Sequence, residues 1–498
     1  MTMPPSAPSV LPDGMTIGAL AHALGVVVKP AVEKLPLAGI AADHRRLVPG
    51  SAFFALPGTK TDGARFIPDA LAAGAIIICA KAPRPVDLPE GTLYWRVEEP
   101  RLALAKAAAS FYPRQPPRIV AVTGTAGKTS VADFTRQIFA RLGKRAASLG
   151  TLGVIGPDGA DYGSLTTPDA ITLHSTLDSL AAQGVTHLAM EASSHGLDQF
   201  RLDGVRLSAA AFTNLGRDHL DYHKDEAAYY AAKLRLFEQV LPPGAPALIN
   251  LDGTRGAETM IATELAGRVP LTIGQNGDYL RILSITPEGF GQRVTFQHKG
   301  RDYPVLIPLI GTFQIQNVAL AAAFALTMRE EPEAVFATLA HLSGVPGRLE
   351  QVGAVGDAPV FVDYAHKPEA LEHALRALRP FVTGKLILVV GCGGDRDAGK
   401  RPIMGRIAAM RADVTIITDD NPRSEDPALI RAAMLAAAPG AIEIGDREQA
   451  IREGVARLGP GDALLIAGKG HETGQIIGDK VYPFSDHAVA RDSIKALQ

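Results

Sequence analysis

The sequence predicts an α/β fold in which parallel sheets are covered by helices. Unbroken apolar runs recur along the chain, and several of them end directly in polar or charged residues. Helical stretches at 369–378 and 428–438 separate such runs in the last part of the chain. Apolar strands that alternate with helices are typical of parallel sheets buried on both faces. Because 498 residues exceed the size of one hydrophobic core, we expect two to four domains. The organisation along the chain indicates three, at 1–112, 113–343 and 344–498.

The composition argues against several classes of protein. With 50 basic and 52 acidic residues the net charge is −2, which argues against a nucleic-acid partner or an anionic membrane surface. Cys79 and Cys392 lie in or at the end of apolar runs, so we expect no disulfide framework and a reducing cytoplasm. Segment 1–12 lacks a basic residue before an apolar stretch, unlike a secretory signal. The apolar stretch 317–328 is shorter than the roughly 20 residues that span a bilayer, so we expect no membrane insertion.

Prolines mark the first domain boundary. Pro113, Pro116 and Pro117 crowd the stretch 111–117, and proline resists both helix and sheet. We therefore expect a linker between the first and second domains.

A glycine-rich turn directly follows the apolar run 119–122 and precedes a helical pattern. Backbone N–H groups of such a turn bind anions, Lys128 adds a positive charge, and the Thr129 hydroxyl is able to hold Mg²⁺. The loop is shorter than the common P-loop, since Gly124 lies three residues before Gly127. The alternative is a turn that merely requires glycines. We predict a site for ATP or another nucleoside triphosphate, formed by Gly124, Thr125, Ala126, Gly127, Lys128, Thr129 and Ser130.

Three further features of the second domain are open to two interpretations each. Glu191 ends the apolar run 185–190 and is either a ligand of nucleotide-bound Mg²⁺ or a cap of the next helix. Segment 214–223 is rich in histidine and aspartate, which suits either a metal site or a solvated helix start. Lys233 lies in a mostly apolar helical stretch, and by itself this pattern indicates a surface lysine with a buried stem.

Polar clusters follow three successive apolar runs in the third domain. They are 395–397, 420–423 and 469–472, and the carboxyl ends of parallel strands meet at one edge of a sheet. Arginines bind carboxylates in a bidentate manner, whereas Glu472 suits an ammonium group. Each cluster alone is also compatible with a structural ion pair. Together they predict a receptor for a zwitterion.

Taken together, these clusters resemble the Mur ligase family of ATP-dependent amide-forming enzymes over essentially the whole chain. The resemblance implies a UDP-binding α/β domain, a central P-loop ATPase-type parallel sheet and a C-terminal Rossmann-like domain. It implies addition of meso-diaminopimelate to UDP-N-acetylmuramoyl-L-alanyl-D-glutamate through an acyl phosphate, with ATP and Mg²⁺, in cytoplasmic peptidoglycan precursor synthesis. The segments that carry the resemblance are 123–129, 166–168, 191–195, 214–219, 347–350, 363–366, 420–423 and 468–472.

The resemblance also implies roles for individual residues. The catalytic residues are Lys128, Glu191, His219 and Lys233. The Mg²⁺ ligands are Thr129, Glu191, His219 and Lys233, the last as a carbamylated lysine. Nucleotide contacts outside the loop are Asn317, Arg348 and Asp363. Contacts to the UDP-muramoyl-dipeptide are His44, Thr59, Thr166, Thr167, Ser193, Gln199 and Arg201. Contacts to diaminopimelate are Arg396, Asp420, Asn421, Pro422, Arg423, Gly468 and Glu472.

The chain departs from the family pattern at a few positions. His44 stands where serine is usual, Ala126 replaces a loop asparagine, and Gln314 replaces an asparagine three residues before Asn317. The changes at 126 and 314 remove no backbone donor and no charge, so we expect activity to survive.

Other functions remain to be distinguished. A ligase of the same family that adds L-lysine is the nearest alternative, and Arg423 argues against it because lysine lacks the distal carboxylate. A non-catalytic sensor that binds nucleotide and wall precursor is a second alternative, and a generic P-loop kinase is a third. We expect a monomer whose partners are small-molecule substrates.

Overall fold

The computed structural model describes residues 15–58, 62–161, 165–219 and 221–497. The chain divides into two compact units. The first comprises the described residues up to Leu280 together with Leu320–Glu331, and the second comprises Arg281–Ala319 with the described residues from Pro332 onward.

The first unit begins with a small parallel sheet that packs against helices. Its strand order is β1-β2-β3-β4, and Phe54, Cys79 and Trp95 lie buried in its core. The elements are α1 (Ile17–Leu24), α2 (Pro30–Glu33), β1 (Ile40–Ala41), β2 (Ala52–Ala55), α3 (Ile67–Ala72), β3 (Ile77–Ala80), β4 (Leu93–Arg96) and α4 (Pro100–Phe111). Residues 112–117 form neither helix nor strand, so the linker begins one residue later than we predicted.

A larger sheet of the same unit carries the glycine-rich turn. Its first-unit strands have the order β12-β11-β10-β5-β9-β6-β7-β8, and they pair in parallel except β7 and β8. The strands are β5 (Arg118–Thr123), β6 (Ala146–Gly150), β7 (Gly153–Gly156), β8 (Gly159–Asp161), β9 (His187–Glu191), β10 (Ala209–Phe212), β11 (Pro246–Asn250) and β12 (Val269–Gly274). The helices are α5 (Lys128–Arg141), α6 (Ala170–Ala182), α7 (Ser194–Asp198), α8 (Glu226–Arg235) and α9 (Gly256–Leu265).

The second unit contains an antiparallel meander and a mostly parallel sheet. The meander is β13 (Leu280–Glu288), β14 (Gly291–His298) and β15 (Arg301–Ile307), and the next helices along the chain are α10 (Thr312–Thr327) and α11 (Pro332–Leu339). The second sheet has the order β16-β17-β21-β18-β19-β20, with only β16 antiparallel to its neighbour among the pairs described. Its strands are β16 (Glu350–Val355), β17 (Ala358–Asp363), β18 (Leu386–Val390), β19 (Val414–Ile417), β20 (Ile442–Glu443) and β21 (Ala463–Ala467). The remaining elements are α12 (Pro368–Leu378), α13 (Lys400–Arg411), α14 (Pro427–Leu435), α15 (Arg447–Ala456), the hairpin β22 (Gly474–Ile477) and β23 (Lys480–Pro483), and α16 (Asp486–Lys495).

The predicted α/β class is confirmed, and the apolar runs of the last domain coincide with β18, β19 and β21. Helix α14 ends at Leu435 rather than at residue 438. The chain turns there because Pro439 and Gly440 follow, and neither residue favours a helix. In the part of the chain that the structure describes, no helix is both long enough and apolar enough to cross a bilayer.

A fully buried ion pair holds together elements of the second unit. Arg447, the first residue of α15, donates through Nε and Nη2 to the two carboxylate oxygens of Asp486, both at 2.7 Å. Both side chains are 0% exposed. The guanidinium also donates to the carbonyls of Ala467 at 3.1 Å and Asp419 at 3.3 Å. Arg447 thus ties the carboxyl ends of β21 and β19 to the start of α16.

Replacement of Asp486 by alanine should destabilise the second unit by roughly 3–5 kcal/mol, because it leaves a buried, unpaired guanidinium. Glu448→Ala is the matched control, since Glu448 pairs with Arg452 on the exposed face of α15 and such a pair contributes about 1 kcal/mol or less. Urea denaturation followed by circular dichroism measures both. Equal losses in the two variants would contradict this account.

Candidate functional site

The glycine-rich turn connects β5 directly to α5 and is fastened to the end of β10. The Thr125 N–H donates to the Asn214 carbonyl at 2.9 Å, and the Ala126 N–H donates to Asn214 Oδ1 at 3.1 Å. A Cβ on Gly124, whose φ is +144°, would lie 1.9 Å from Thr213 Oγ1, so only glycine fits there. Helix α5 begins at Lys128, directly after Gly127. The predicted strand–turn–helix is therefore present, and the backbone N–H of Ala126 is hydrogen-bonded to Asn214.

The start of α5 places the predicted phosphate-binding side chains together. Lys128 Nζ donates to the carbonyls of Gly124 at 2.9 Å and Thr125 at 3.0 Å, so the ammonium lies against the loop. Thr129 is half-buried and Ser130 is buried in the first turn. A helix N-terminus behind a loop of this kind has the polarity that anions require.

Lys233 lies in the interior beneath this loop. Its side chain is 1% exposed, and its Nζ donates to the Gly124 carbonyl at 2.7 Å and lies 4.3 Å from the ring centre of Tyr229. Burial, with a smaller contribution from the charge of Lys128, lowers the pKa of Lys233 to about 6. The interpretation of this residue as a surface lysine was wrong. The lowered pKa favours the uncharged form of this amine, which is the nucleophilic form.

Glu191 ends β9 with its carboxylate in a tight cradle. Its Oε1 accepts from the Thr151 N–H at 2.7 Å, and its Oε2 accepts from the Thr151 hydroxyl at 3.3 Å. A Cβ on Gly150 would lie 2.1 Å from Oε1. Ser193, rather than Glu191, caps α7 by accepting from the Gly196 N–H at 3.0 Å. The helix-cap interpretation of Glu191 was therefore wrong.

The residues predicted to bind the muramoyl-dipeptide form one network in the first unit. Thr167 Oγ1 accepts from the Ser193 N–H at 3.0 Å and donates to the Glu191 carbonyl at 2.9 Å. Arg201 donates to the Thr167 carbonyl at 2.6 Å and to Gln199 Oε1 at 2.8 Å. Burial lowers the pKa of the Arg201 guanidinium. Thr166 joins this network because its hydroxyl lies 3.0 Å from that of Thr151.

Two of the predicted contacts lie in the first 112 residues of the sequence. His44 lies before β2, where its ring stacks on Phe66 with 5.0 Å between ring centres. Thr59 lies outside the described residues.

Aromatic and histidine rings gather around His195 in helix α7, which follows Glu191 in the sequence. The ring centre of His195 lies 4.9 Å from that of His219, 4.1 Å from that of Tyr222 and 5.6 Å from that of His223. Burial is the main cause that lowers the pKa of all three histidines. Burial thus favours the neutral imidazole in each case, which is the form that binds metals. His195 and Tyr222 were missed as site residues, although His195 stands in the segment 191–195.

The two interpretations of segment 214–223 are also resolved in part. Helix α8 begins only at Glu226, with Asp225 as its cap, so this segment is not a helix start. Within residues 15–58, 62–161, 165–219 and 221–497, no group of three or more His, Cys, Asp or Glu side chains is arranged to hold a metal ion.

A cavity of about 500 Å³ opens at the carboxyl ends of β18, β19 and β21. The predicted zwitterion receptor lies here, since the clusters that follow these strands all contribute to the lining. Tyr364, His366 and Lys400 line it as well and were missed, although Tyr364 and His366 stand in the segment 363–366 that carries the family resemblance. Pro422 is not among the lining residues described. The predicted residues in the lining are Arg396, Asp420, Asn421, Arg423, Gly468 and Glu472.

The backbone holds Arg423 in an uncommon conformation at this cavity. Its φ is +53°, and its N–H donates to the Ile476 carbonyl at 3.1 Å. One guanidinium nitrogen, Nη1, donates to the Gly394 carbonyl at 2.7 Å. The hairpin β22–β23 and the loop after β18 thus fix where the guanidinium lies.

The predicted nucleotide contacts of the second unit are linked by Gln314. Asn317 donates to Gln314 Oε1, and Gln314 donates to the Arg348 carbonyl, both at 3.2 Å. Asp363 accepts from the N–H groups of Leu349 at 2.7 Å and Ala365 at 2.8 Å. Burial raises the pKa of Asp363 to about 6. Gln314 therefore bridges two predicted contact residues despite replacing the usual asparagine.

The depressed pKa of Lys233 makes stability depend on pH in a defined direction. Between pH 6 and its ordinary value of 10.5 the folded lysine binds fewer protons than the unfolded one, so stability rises as pH rises. In carbon dioxide-free buffer, the wild type should gain stability relative to Lys233→Met between pH 6 and 9, by at most about 1.4 kcal/mol per pH unit. Urea denaturation at several pH values measures this difference.

The exposed Lys224, which precedes α8, provides the control. Lys224→Met should follow the wild type at every pH. If the difference in unfolding free energy between wild type and Lys233→Met stays constant over this pH range, the lowered pKa of the buried Lys233 amine is contradicted.

Comparison with known proteins gives a consistent result between residues 36 and 470. Residues 36–112 match the catalytic domain of the Mur ligase family, residues 122–325 match the Mur ligase middle domain, and residues 347–470 match the Mur ligase, glutamate ligase domain.

Individual relatives are similar over nearly their full length. A UDP-N-acetylmuramoyl-L-alanyl-D-glutamate–2,6-diaminopimelate ligase of Bradyrhizobium diazoefficiens is 56% identical over 92% of this chain and 95% of its own length. The protein of the same name from Mesorhizobium japonicum is 53% identical over 93% and 95%. A solved structure of a ligase of this name has a TM-score of 0.75 and 32% identity, and covers 97% of this chain and 99% of its own. The chain therefore belongs to the Mur ligase family.

Proposed function

We propose that this chain is an ATP-dependent ligase that adds meso-diaminopimelate to UDP-N-acetylmuramoyl-L-alanyl-D-glutamate. The observation that carries the proposal is the cavity in which Arg396, Arg423 and Glu472 line one space. Meso-diaminopimelate carries two carboxylates and two amino groups, and it therefore matches guanidinium and carboxylate groups placed together. The names of the relatives described above agree with this assignment.

The chemistry requires two steps. A carboxylate oxygen of the D-glutamyl residue attacks the γ-phosphorus of ATP, which breaks the bond to ADP and gives an acyl phosphate. The amine of diaminopimelate then attacks the acyl carbon, loses a proton and expels inorganic phosphate. Phosphoryl transfer from ATP to the D-glutamyl carboxylate brings two anions together, so it is slow unless their negative charge is offset. We assign that task to the N–H groups of Gly127, Lys128 and Thr129 and to the ammonium of Lys128.

The first unit offers donors that suit Mg²⁺. Glu191 is a carboxylate held in place by Thr151, and burial lowers the pKa of the His219 imidazole, which favours the neutral form that binds metals. Lys233 as an ammonium would repel a cation, but its buried amine is able to take up carbon dioxide and become a carbamate. With that modification, Thr129, Glu191, His219 and Lys233 would hold Mg²⁺, which supplies charge neutralisation to the phosphoryl groups.

The remaining assignments follow the same proposal. Residues Thr166, Thr167, Ser193, Gln199 and Arg201 bind the muramoyl-dipeptide, since one hydrogen-bond network holds them together. Domain 1–112 binds the UDP part, with contacts from His44 and Thr59, and the other domains are 113–343 and 344–498. Asn317, Arg348 and Asp363 contact the nucleotide. We also propose that the protein acts as a monomer in the cytoplasm.

Arg423→Met should lower kcat/KM for meso-diaminopimelate by about 100-fold, because a charge-assisted contact to the distal carboxylate is lost. Arg406→Met is the control, since Arg406 is exposed on α13 and should keep its activity within threefold. Mass spectrometry of the amide product, with phosphate release, measures both variants.

The same assay separates the proposed function from its alternatives. The wild type should prefer meso-diaminopimelate to L-lysine and should release phosphate only when dipeptide and amino acid are both present. Preference for lysine would indicate the L-lysine-adding ligase. A phosphorylated product without amide would indicate a kinase, and binding without turnover would indicate a sensor.

Lys233→Ala should lose most activity, because the carbamate oxygens disappear from the proposed Mg²⁺ site. Added formate or acetate should restore part of it by supplying a carboxylate in the space that the side chain vacates. In wild type equilibrated with ¹³C-labelled carbon dioxide, NMR should show one carbamate signal that Lys233→Ala lacks. Full activity of the alanine variant without added acid would rule out this role.

A further inference from the structure

Lys469 is a fully buried lysine behind the wall of the amino-acid cavity. It follows β21, between the lining residues Gly468 and Glu472, and its side chain is 0% exposed. Its Nζ donates to Asn421 Oδ1 at 2.9 Å and to Glu472 Oε2 at 3.0 Å. Asp420 Oδ1 lies 3.6 Å away. One ammonium therefore faces three residues of the cavity wall.

These contacts fix the direction of the Asn421 amide. Oδ1 accepts from Lys469 Nζ and from the Ile476 N–H, each at 2.9 Å. Both partners are donors only, so the atom that faces them is the oxygen. The amide nitrogen donates to Glu472 Oε2 at 2.9 Å. With its oxygen used twice, Asn421 can offer a ligand in the cavity only its remaining N–H, which suits a carboxylate.

The ammonium of Lys469 also orients Glu472 and compensates the negative charge of Asp420. Oε2 of Glu472 accepts from both Lys469 and Asn421, which directs this oxygen to the wall and leaves Oε1 for an ammonium group. Asp420 is buried, and its Oδ1 has no hydrogen-bond partner among the described residues. The positive charge 3.6 Å away offsets the cost of burying this carboxylate.

We propose that Lys469 is a positioning residue for amino-acid selection, which acts by holding Asn421 and Glu472 in the orientation that accepts a carboxylate and an ammonium side by side. The inference rests on the proposed function, because it assumes that the cavity holds the amino acid. Lys469 itself stays behind the wall and touches no substrate. It is distinct from the lining residues, whose side chains face the ligand.

A double-mutant cycle tests whether Lys469 acts through Asn421. Lys469→Met should raise the KM for the amino acid roughly 10- to 100-fold, the range for loss of a hydrogen bond to a charged group. The KM values for ATP and muramoyl-dipeptide should stay unchanged. Because the residue acts partly through Asn421 and partly through Glu472, Lys469→Met combined with Asn421→Ala should raise the KM by less than the product of the two single effects. The proposal would be overturned if the KM increases of the two single variants multiply in the double variant. It would also be overturned if the amino-acid KM of Lys469→Met stays within threefold of wild type.

A second lysine variant keeps the test decisive if Lys469→Met fails to fold. Lys469→Arg retains the buried charge but moves the donors, so the amino-acid KM should again rise and again couple to Asn421→Ala. Lys400→Met is the matched control, since Lys400 lines the same cavity but donates to the His366 carbonyl at 2.8 Å. The change in amino-acid KM caused by Lys400→Met should therefore multiply with the change caused by Asn421→Ala.

The wild-type amino-acid preference separates failure of this inference from failure of the proposed function. If the wild type prefers another amino acid, the proposed function is wrong, and the cycle is run with the preferred one. If the wild type forms no amide, calorimetric binding of meso-diaminopimelate replaces KM. In each case coupling between positions 469 and 421 supports the positioning role, and independent effects overturn it.

Discussion

Each of the two units buries a lysine at the carboxyl edge of its parallel sheet. The chemistry of each site depends on whether that lysine contacts uncharged groups or carboxylates. Lys233 contacts a backbone carbonyl, which carries no net charge, and burial lowers its pKa to about 6. Lys469 instead has two carboxylates within 3.6 Å. The first arrangement favours an uncharged, reactive amine, whereas the second favours a fixed cation that orients its neighbours.

The parallel pairing of the strands explains why the glycine-rich loop site and the amino-acid cavity both form at the carboxyl edge of a sheet. Strands that run in one direction end at one edge, so the loops after β5, β9 and β10 meet in the first unit and those after β18, β19 and β21 meet in the second. Contacts between loops then fix the details. Asn214 fastens the glycine-rich turn, and Arg447 ties the ends of β19 and β21 to α16.

The sequence allowed prediction of the parallel strands β18, β19 and β21 and of part of the cavity lining, because unbroken apolar runs are long enough to specify buried strands and polar clusters mark their ends. It did not allow prediction of the burial of Lys233, since helical periodicity does not reveal that Gly124, 109 residues away in the chain, packs against the amine. The role of Lys469 was hidden for the same reason. Its partner Asn421 is 48 residues distant, and only the pairing of β18 with β19 and β21 brings the two together.

Isotope transfer tests the central claim, an acyl phosphate on the way to the amide, most directly. The D-glutamyl side-chain carboxylate of the muramoyl-dipeptide is labelled with ¹⁸O, and the inorganic phosphate released with meso-diaminopimelate and ATP is analysed by mass spectrometry. If the carboxylate attacks phosphorus, one labelled oxygen leaves with each phosphate for every amide formed. Unlabelled phosphate released together with amide product would contradict the account.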